Sequence, residues 1–229
     1  MGNFFNKLTF VFSDKNLRGK IIFAVAALVV FRLLATIPIP GIDTFRLEQF
    51  FSNNQFLGLL NIFSGGGLSN LSIVMLGVGP YITSSIIMQL LTIMIPSLKA
   101  LYHEEGELGR RKFTQYSRLL TVPLAILQGL GLLILLERQG IIEHLSMFSR
   151  ILNLVVITGG SILLMWIGEL VSEFGIGNGV SLLIFAGIVA VIPSQVGQLL
   201  FTFDVSQIPL YLAFIAVALF IIAGVVFIT

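Results

Sequence analysis

Between Asn61 and Pro96 the sequence reads NIFSGGGLSNLSIVMLGVGPYITSSIIMQLLTIMIP, and few folds accommodate such a stretch. Ser72 to Ile95 is free of charge and supplies the roughly 20 apolar residues that a bilayer-spanning helix needs. The apolar piece ahead of it, Phe56 to Phe63, is too short to span and is cut off by Ser64-Gly65-Gly66-Gly67. A short apolar segment hinged by glycine onto a full span is unusual in lipid. Non-helical backbone at membrane depth persists only where protein or a water-filled cavity satisfies it. The stretch is therefore expected to face a cavity, with the short piece either a movable stopper or a re-entrant half-helix of no special role.

Composition points to the same class. Hydrophobic residues make up 56% of the 229-residue chain and charged residues 10%, against about 25% charged in soluble domains. A formal charge of +2 is too small to suggest nucleic acid. With no cysteine there is no disulfide framework, thiolate metal site or thiol nucleophile. The first apolar run ends at Pro38-Ile39-Pro40 rather than at a small-residue cleavage pattern, so it is not read as a cleavable signal peptide.

Residues 1–20 mix Lys7, Lys15, Arg18 and Lys20 with Phe4, Phe5, Leu8, Phe10 and Phe12, the pattern of an amphipathic segment on a membrane surface. Six spans are expected after it: Ile21 to Ile37, Ser72 to Ile95, Arg118 to Leu136, Ile151 to Ile167, Val180 to about Leu200, and Pro209 to Thr229. Arg32, inside the first span, is near enough to its end to snorkel, or is a functional intramembrane charge. Ser97 to Ser117 is a charged connection, and Glu169 to Gly179 is a glycine-rich turn carrying Gly175, Gly177, Asn178 and Gly179. Lys and Arg residues set the orientation. Lys7, Lys15, Arg18, Lys20, Lys99, Arg110, Arg111, Lys112 and Arg118 fall on the N-terminal side, against Arg46, Arg138 and Arg150 on the other. Nine against three places both termini in the cytoplasm. The last span stops at Thr229 without a basic anchor, which reads as an interrupted chain.

No catalytic constellation emerges. His103 and His144 fall in connections on opposite faces, and there is no His-Glu-x-x-His, Gly-x-Ser-x-Gly or Walker sequence. Neither Ser64-Gly65-Gly66-Gly67 nor Gly175-Ile176-Gly177-Asn178-Gly179 has the context of a nucleotide-binding loop. The positive signal is apolar. Val78 and Ile82 are four apart, Ile86 and Leu90 extend their helical face, and Val180 and Ile184 repeat the spacing. On spacing alone these are packing residues.

Five ordered blocks carry a resemblance: IPIPGID (37–43), NIFSGGGLSN (61–70), GPYITSSIIMQLL (79–91), EGELGRRKFTQYSR (105–118) and MWIGELVSEFGIGNGVSLLIFAGIVA (165–190). From about Ile21 to Pro193 the chain resembles the first half of the SecY family of protein-translocation channel subunits, which has ten spans in two inverted halves of five. The resemblance implies an all-α, polytopic transmembrane bundle, with residues 21–200 as the first half of the channel and 201–229 carrying a sixth span. It implies a pore ring of Val78, Ile82 and Ile184, with Val180 one turn away. It implies a plug made of Leu57, Leu59, Leu60, Asn61, Ile62, Phe63, Ser64, Gly65, Gly66, Gly67, Leu68, Ser69 and Asn70. Thr83, Ile86 and Ile87 would face a lateral gate, and Arg110, Arg111 and Lys112 would form a cytoplasmic docking surface.

What the resemblance implies about activity is a passive, non-enzymatic channel without cofactor or metal, in the cell inner membrane. It would pass unfolded polypeptides outward and release apolar segments into lipid. The implied partners are a SecE-like clamp subunit, the second half of the channel, a SecA-like motor ATPase or a ribosome, signal sequences and nascent chains, and membrane lipid. A competing reading is a secondary transporter for a small solute built on broken helices. Such a protein would be expected to carry ionisable groups in its spans, and apart from Arg32 the sequence offers none well inside them.

Overall fold

The computed structural model describes residues 14–39, 67–68, 70–140, 142, 144–201 and 208–228. All regular structure among them is helical: α1 (Lys15–Leu34), α2 (Gly79–Met94), α3 (Pro96–His103), α4 (Gly106–Arg138), α5 (Met147–Phe174), α6 (Gly179–Phe201) and α7 (Ile208–Ile228). The chain forms two compact units, Met1–Val191 and Ile192–Thr229. The second holds α7, an unbroken apolar helix with no charged residue.

Three described helices, α4, α5 and α7, are long and apolar enough to cross a membrane, and α2 with α3 passes the same test as a bent pair. The expected first span falls on α1, a helix that starts at Lys15, carries Lys15, Arg18, Lys20 and Arg32, and is not among those that pass this test. The Asp14 carboxylate caps it by accepting from the Asn16 N–H at 2.9 Å, which satisfies one amide left open at a helix start.

The second span departs from expectation. Residues 70–78 run as turns, and the helix begins only at Gly79. Its 16 residues cover about 24 Å at 1.5 Å each. The turns carry Leu71 at φ 39° and Gly77 at φ 57°. Their backbone is satisfied by protein: Ser161 Oγ donates to the Gly77 carbonyl at 3.0 Å, the Ile39 N–H to Leu71 at 2.9 Å, and the Ile73 N–H to Ile37 at 3.0 Å. This cross-tie between the chain leaving α1 and the chain entering α2 is what lets non-helical backbone persist in the bundle.

Ser97 to Ser117, read from sequence as a loop, is helical apart from a turn at Glu104–Glu105. The break before it follows from Pro96: Ile95 is extended (φ −114°, ψ 107°), as a residue preceding proline prefers, and α3 leaves α2 at 112°. Leu98, Leu101 and Tyr102 then pack with Met88, Leu91, Phe113 and Leu120, while Lys99 and His103 stay exposed.

The long helix α4 packs against α2, α3 and α5. Apart from Leu136, its buried residues recur every fourth position: Gly109, Phe113, Ser117, Thr121, Ala125, Gly129 and Leu133. Most are small, which lets membrane helices approach closely. The remaining faces expose Leu119, Ile126, Leu127 and Leu135. At the far end of α4, Arg150 forms an ion pair with Glu137 at 2.7 Å, and the Leu145 N–H donates to the same carboxylate at 2.9 Å. That clasp closes the α4–α5 connection.

Candidate functional site

The four sequence-nominated ring residues come together. Val78 is buried in a cluster with Phe31, Val74, Leu164 and Leu183, and Ile82, Val180 and Ile184 pack against it. Val78 ends the turn segment and serves as N-cap of α2, so Ile82 lies one helical turn further along. Val180 and Ile184 occupy the first turns of α6.

Two cavities flank this cluster. One, of about 730 Å³, is polar and charged: Tyr81, Ser85 and Gln89 of α2 face Arg118, Glu169, Glu173 and Asn178 across it. The other, of about 590 Å³, is mainly apolar, with Leu68, Met75, Leu76 and Leu132 in its wall. Ile82 and Ile184 line both. Val180 lines only the charged cavity and Val78 only the apolar one. The branched aliphatic residues thus stand between a cavity that carries charged side chains and one that is mainly apolar. Arg118 Nε meets Glu169 Oε1 at 2.6 Å, and this pair, from α4 and α5, fixes the wall of the charged cavity.

Of the nominated plug, Leu57 to Gly66 and Ser69 lie outside the described residues. Gly67 accepts from the Ser72 N–H at 2.8 Å. Leu68 is buried, packs with Leu71, Met75, Leu133 and Leu136, and lines the apolar cavity. The Asn70 amide donates to the Ala35 carbonyl at 3.4 Å. Gly67, Leu68 and Asn70 are thus anchored, with Leu68 in the wall of the apolar cavity.

Among the gate residues, Thr83 lines the apolar cavity and Ile86 the charged one, while Ile87 is half-buried and lines neither. The Thr83 hydroxyl donates to the Gly79 carbonyl at 3.0 Å and accepts from Gln128 Nε2 of α4 at 3.4 Å. Gln128, a single amide in an apolar span, was not nominated from sequence. Neither was Ser84, whose hydroxyl donates to the Ser117 carbonyl and joins α2 to α4. Arg110, Arg111 and Lys112 lie exposed in the first turns of α4 rather than on a loop. Arg111 pairs with Glu107 at 2.9 Å and Lys112 with Glu105 at 3.6 Å. Arg110 lines a groove with Thr114, Gln115, Arg118 and Glu173.

Comparison with known proteins identifies the family. A family model described as SecY matches residues 72–229. Protein translocase subunit SecY of Synechocystis sp. is 48% identical over 184 residues, covering 80% of this chain and 41% of that protein. The corresponding subunit of Mycobacterium leprae is 42% identical over 227 residues, covering 93% of this chain and 50% of its own. This chain thus spans about half the length of the curated relatives it matches. Among solved structures, one described as a protein conducting channel aligns with a TM-score of 0.55 at 23% identity, over 79% of this chain and 38% of that one. Sec61 in the canine ribosome-channel complex from the endoplasmic reticulum aligns with a TM-score of 0.56 over the same shares. The chain belongs to the SecY family and has the helical fold of its channel.

Proposed function

We propose that the chain is a pore-forming part of a protein-conducting channel in the cell inner membrane, crossing it six times with its N-terminus in the cytoplasm. Unfolded polypeptides pass across the membrane through it, and apolar segments leave it sideways into lipid. The observation that carries this reading is the sharing of Ile82 and Ile184 by a charged cavity and an apolar one. A translocating chain carries side chains of every kind, and polar binding groups along its path would trap some of them. A collar of branched aliphatic side chains binds none strongly, yields to the passing chain, and sheds water when empty, which blocks ions.

In this reading Val78, Ile82, Val180 and Ile184 contribute half the collar. The stretch from Leu57 to Asn70 stoppers the apolar cavity from its anchored root. Thr83, Ile86 and Ile87 face the lateral opening, where the Gln128–Thr83 contact adds a weakly polar seam that closes without locking. Relatives named as translocase subunits support a channel over a solute transporter. The part of a relative that this chain does not span would supply the opposing wall, and a SecE-like subunit would clamp the two. A SecA-like motor or a ribosome would supply the driving force, docking in part on Arg110, Arg111 and Lys112. Signal sequences and nascent chains would be the substrates, and bilayer lipid would receive the released segments.

The test is resting ion conductance in membranes where the chain is assembled with the portion of a SecY relative that it does not span. Ile82→Asn and Ile184→Ser are expected to raise conductance while the protein accumulates normally, because each wets the constriction. If these residues were ordinary packing, a polar replacement would unfold the bundle, since losing even apolar volume from a core costs about 1 to 5 kcal/mol. Loss of protein with no conductance change would overturn the reading.

A further inference from the structure

We propose that Ser172 is the positioning residue that sets where the α6 half of the constriction stands, an inference that rests on the channel reading for its consequence but not for its geometry. The Ser172 hydroxyl, in the last turn of α5, accepts from the Gly179 N–H at 2.8 Å and donates to the Gly168 carbonyl one turn back at 2.9 Å. Gly179 is the first residue of α6, so its amide is one of those a helix start leaves without an internal partner. A serine on the neighbouring helix satisfies it and ties the two helices together. Asn178 caps the same turn from within the connection, accepting from the Ser181 N–H at 3.1 Å, but that bond leaves the position of α6 relative to α5 open.

The surrounding packing is built for this approach. A Cβ on Gly179 would strike the Gly168 carbonyl oxygen, and a Cβ on Gly168 would come within 3.0 Å of Val180 Cγ2. The glycines remove the bulk, and Ser172 sets the register. Apolar contacts such as those of Leu183 in the same cluster hold α6 against its neighbours, yet they are non-directional and tolerate sliding. A hydrogen-bond relay has one geometry. Val180 directly follows the anchored amide, and Ile184 follows one turn later. A shift at Ser172 is therefore a shift of both collar residues relative to Ile82.

The chain has no cysteine, so a pair introduced at Ile82 and Ile184 and bridged with a short bismaleimide reports the α2–α6 approach directly. Ser172→Ala is expected to cut the bridging yield at least threefold and to raise resting conductance. Ser172→Thr, which keeps the hydroxyl, is expected to restore both. Equal bridging in the parent and Ser172→Ala would overturn the proposal. So would failure of Ser172→Ala to accumulate, because the hydroxyl would then be a requirement for folding rather than for position. Conductance that ignores Ile82→Asn while bridging responds to Ser172→Ala would overturn the channel reading and leave the positioning role standing.

Discussion

Glu137 shows how a single carboxylate can hold one end of the bundle. The Leu145 N–H and the Arg150 guanidinium, in that order of weight, with His144 contributing at longer range, hold its carboxyl below the ordinary value of 4.5. The sign of the linkage follows from the direction of that shift. A carboxylate depressed in the folded state stabilises the fold fully above its ordinary pKa, and the benefit is lost as the pH falls through the depressed value. Thermal unfolding in detergent is therefore expected to show stability that is flat near neutrality and declines below about pH 4.5. Glu137→Gln should lower the melting temperature by a few degrees at neutral pH and flatten the acid limb. An acid limb of equal steepness in the variant would assign the titration elsewhere. Gln128 and Ser84 belong to the same scale: each joins α2 to α4 through one side-chain hydrogen bond.

At the scale of elements, glycine placement separates packing from propensity. Gly160 of α5 lies so close to the turn before α2 that a Cβ would collide with the Ile73 carbonyl oxygen, whereas a Cβ on the neighbouring Gly159 would meet nothing within 4 Å. Backbone cannot give way as a flexible side chain can. Gly160→Ala is expected to cost about 1 to 3 kcal/mol, and Gly159→Ala to be neutral or slightly stabilising because alanine favours helix. Melting temperatures of the two variants in detergent check this, and equal effects would mean that the close approach is not a constraint. The same turn explains what the sequence could and could not reveal. Apolar runs made α4, α5 and α7 legible as spans, and the spacing of Val78, Ile82, Val180 and Ile184 marked them as one apolar set. Hydropathy could not register that residues 70–78 turn, since their backbone is satisfied by Ser161, 84 residues further along from Gly77. The charges between Lys99 and Lys112 likewise masked the packed apolar residues Leu98 and Leu101 of α3 and Phe113 of α4, so both stretches read as a loop. Gln128 left no sequence signal, because a lone amide in an apolar span acquires meaning only when Thr83 is opposite it.

The molecule as a whole separates its charges by end. α4 has 33 residues, about 50 Å at 1.5 Å per residue, longer than the roughly 30 Å hydrocarbon core of a bilayer. Its first turns, with Arg110, Arg111 and Lys112, lie ahead of its apolar stretch. Arg118 near that end pairs with Glu169 of α5, and Glu137 at the other end pairs with Arg150. These two ties make α4 and α5 an antiparallel hairpin with one charged clasp toward each face. His103 ends α3, at the end of the hairpin where α4 starts, and His144 just precedes α5 at the other, near Glu137. Both are exposed. Because the chain lacks cysteine, His103→Cys and His144→Cys each give one reactive site on an otherwise silent background. In right-side-out cells an impermeant maleimide is expected to label the cysteine at position 144 at once and the one at 103 only after the membrane is opened, as the excess of Lys and Arg on the His103 side requires. Labelling in the reverse order would invert the orientation while keeping the hairpin. Labelling of both from one side would break it, and with it the separation of the charged cavity from the apolar one on which the channel reading depends.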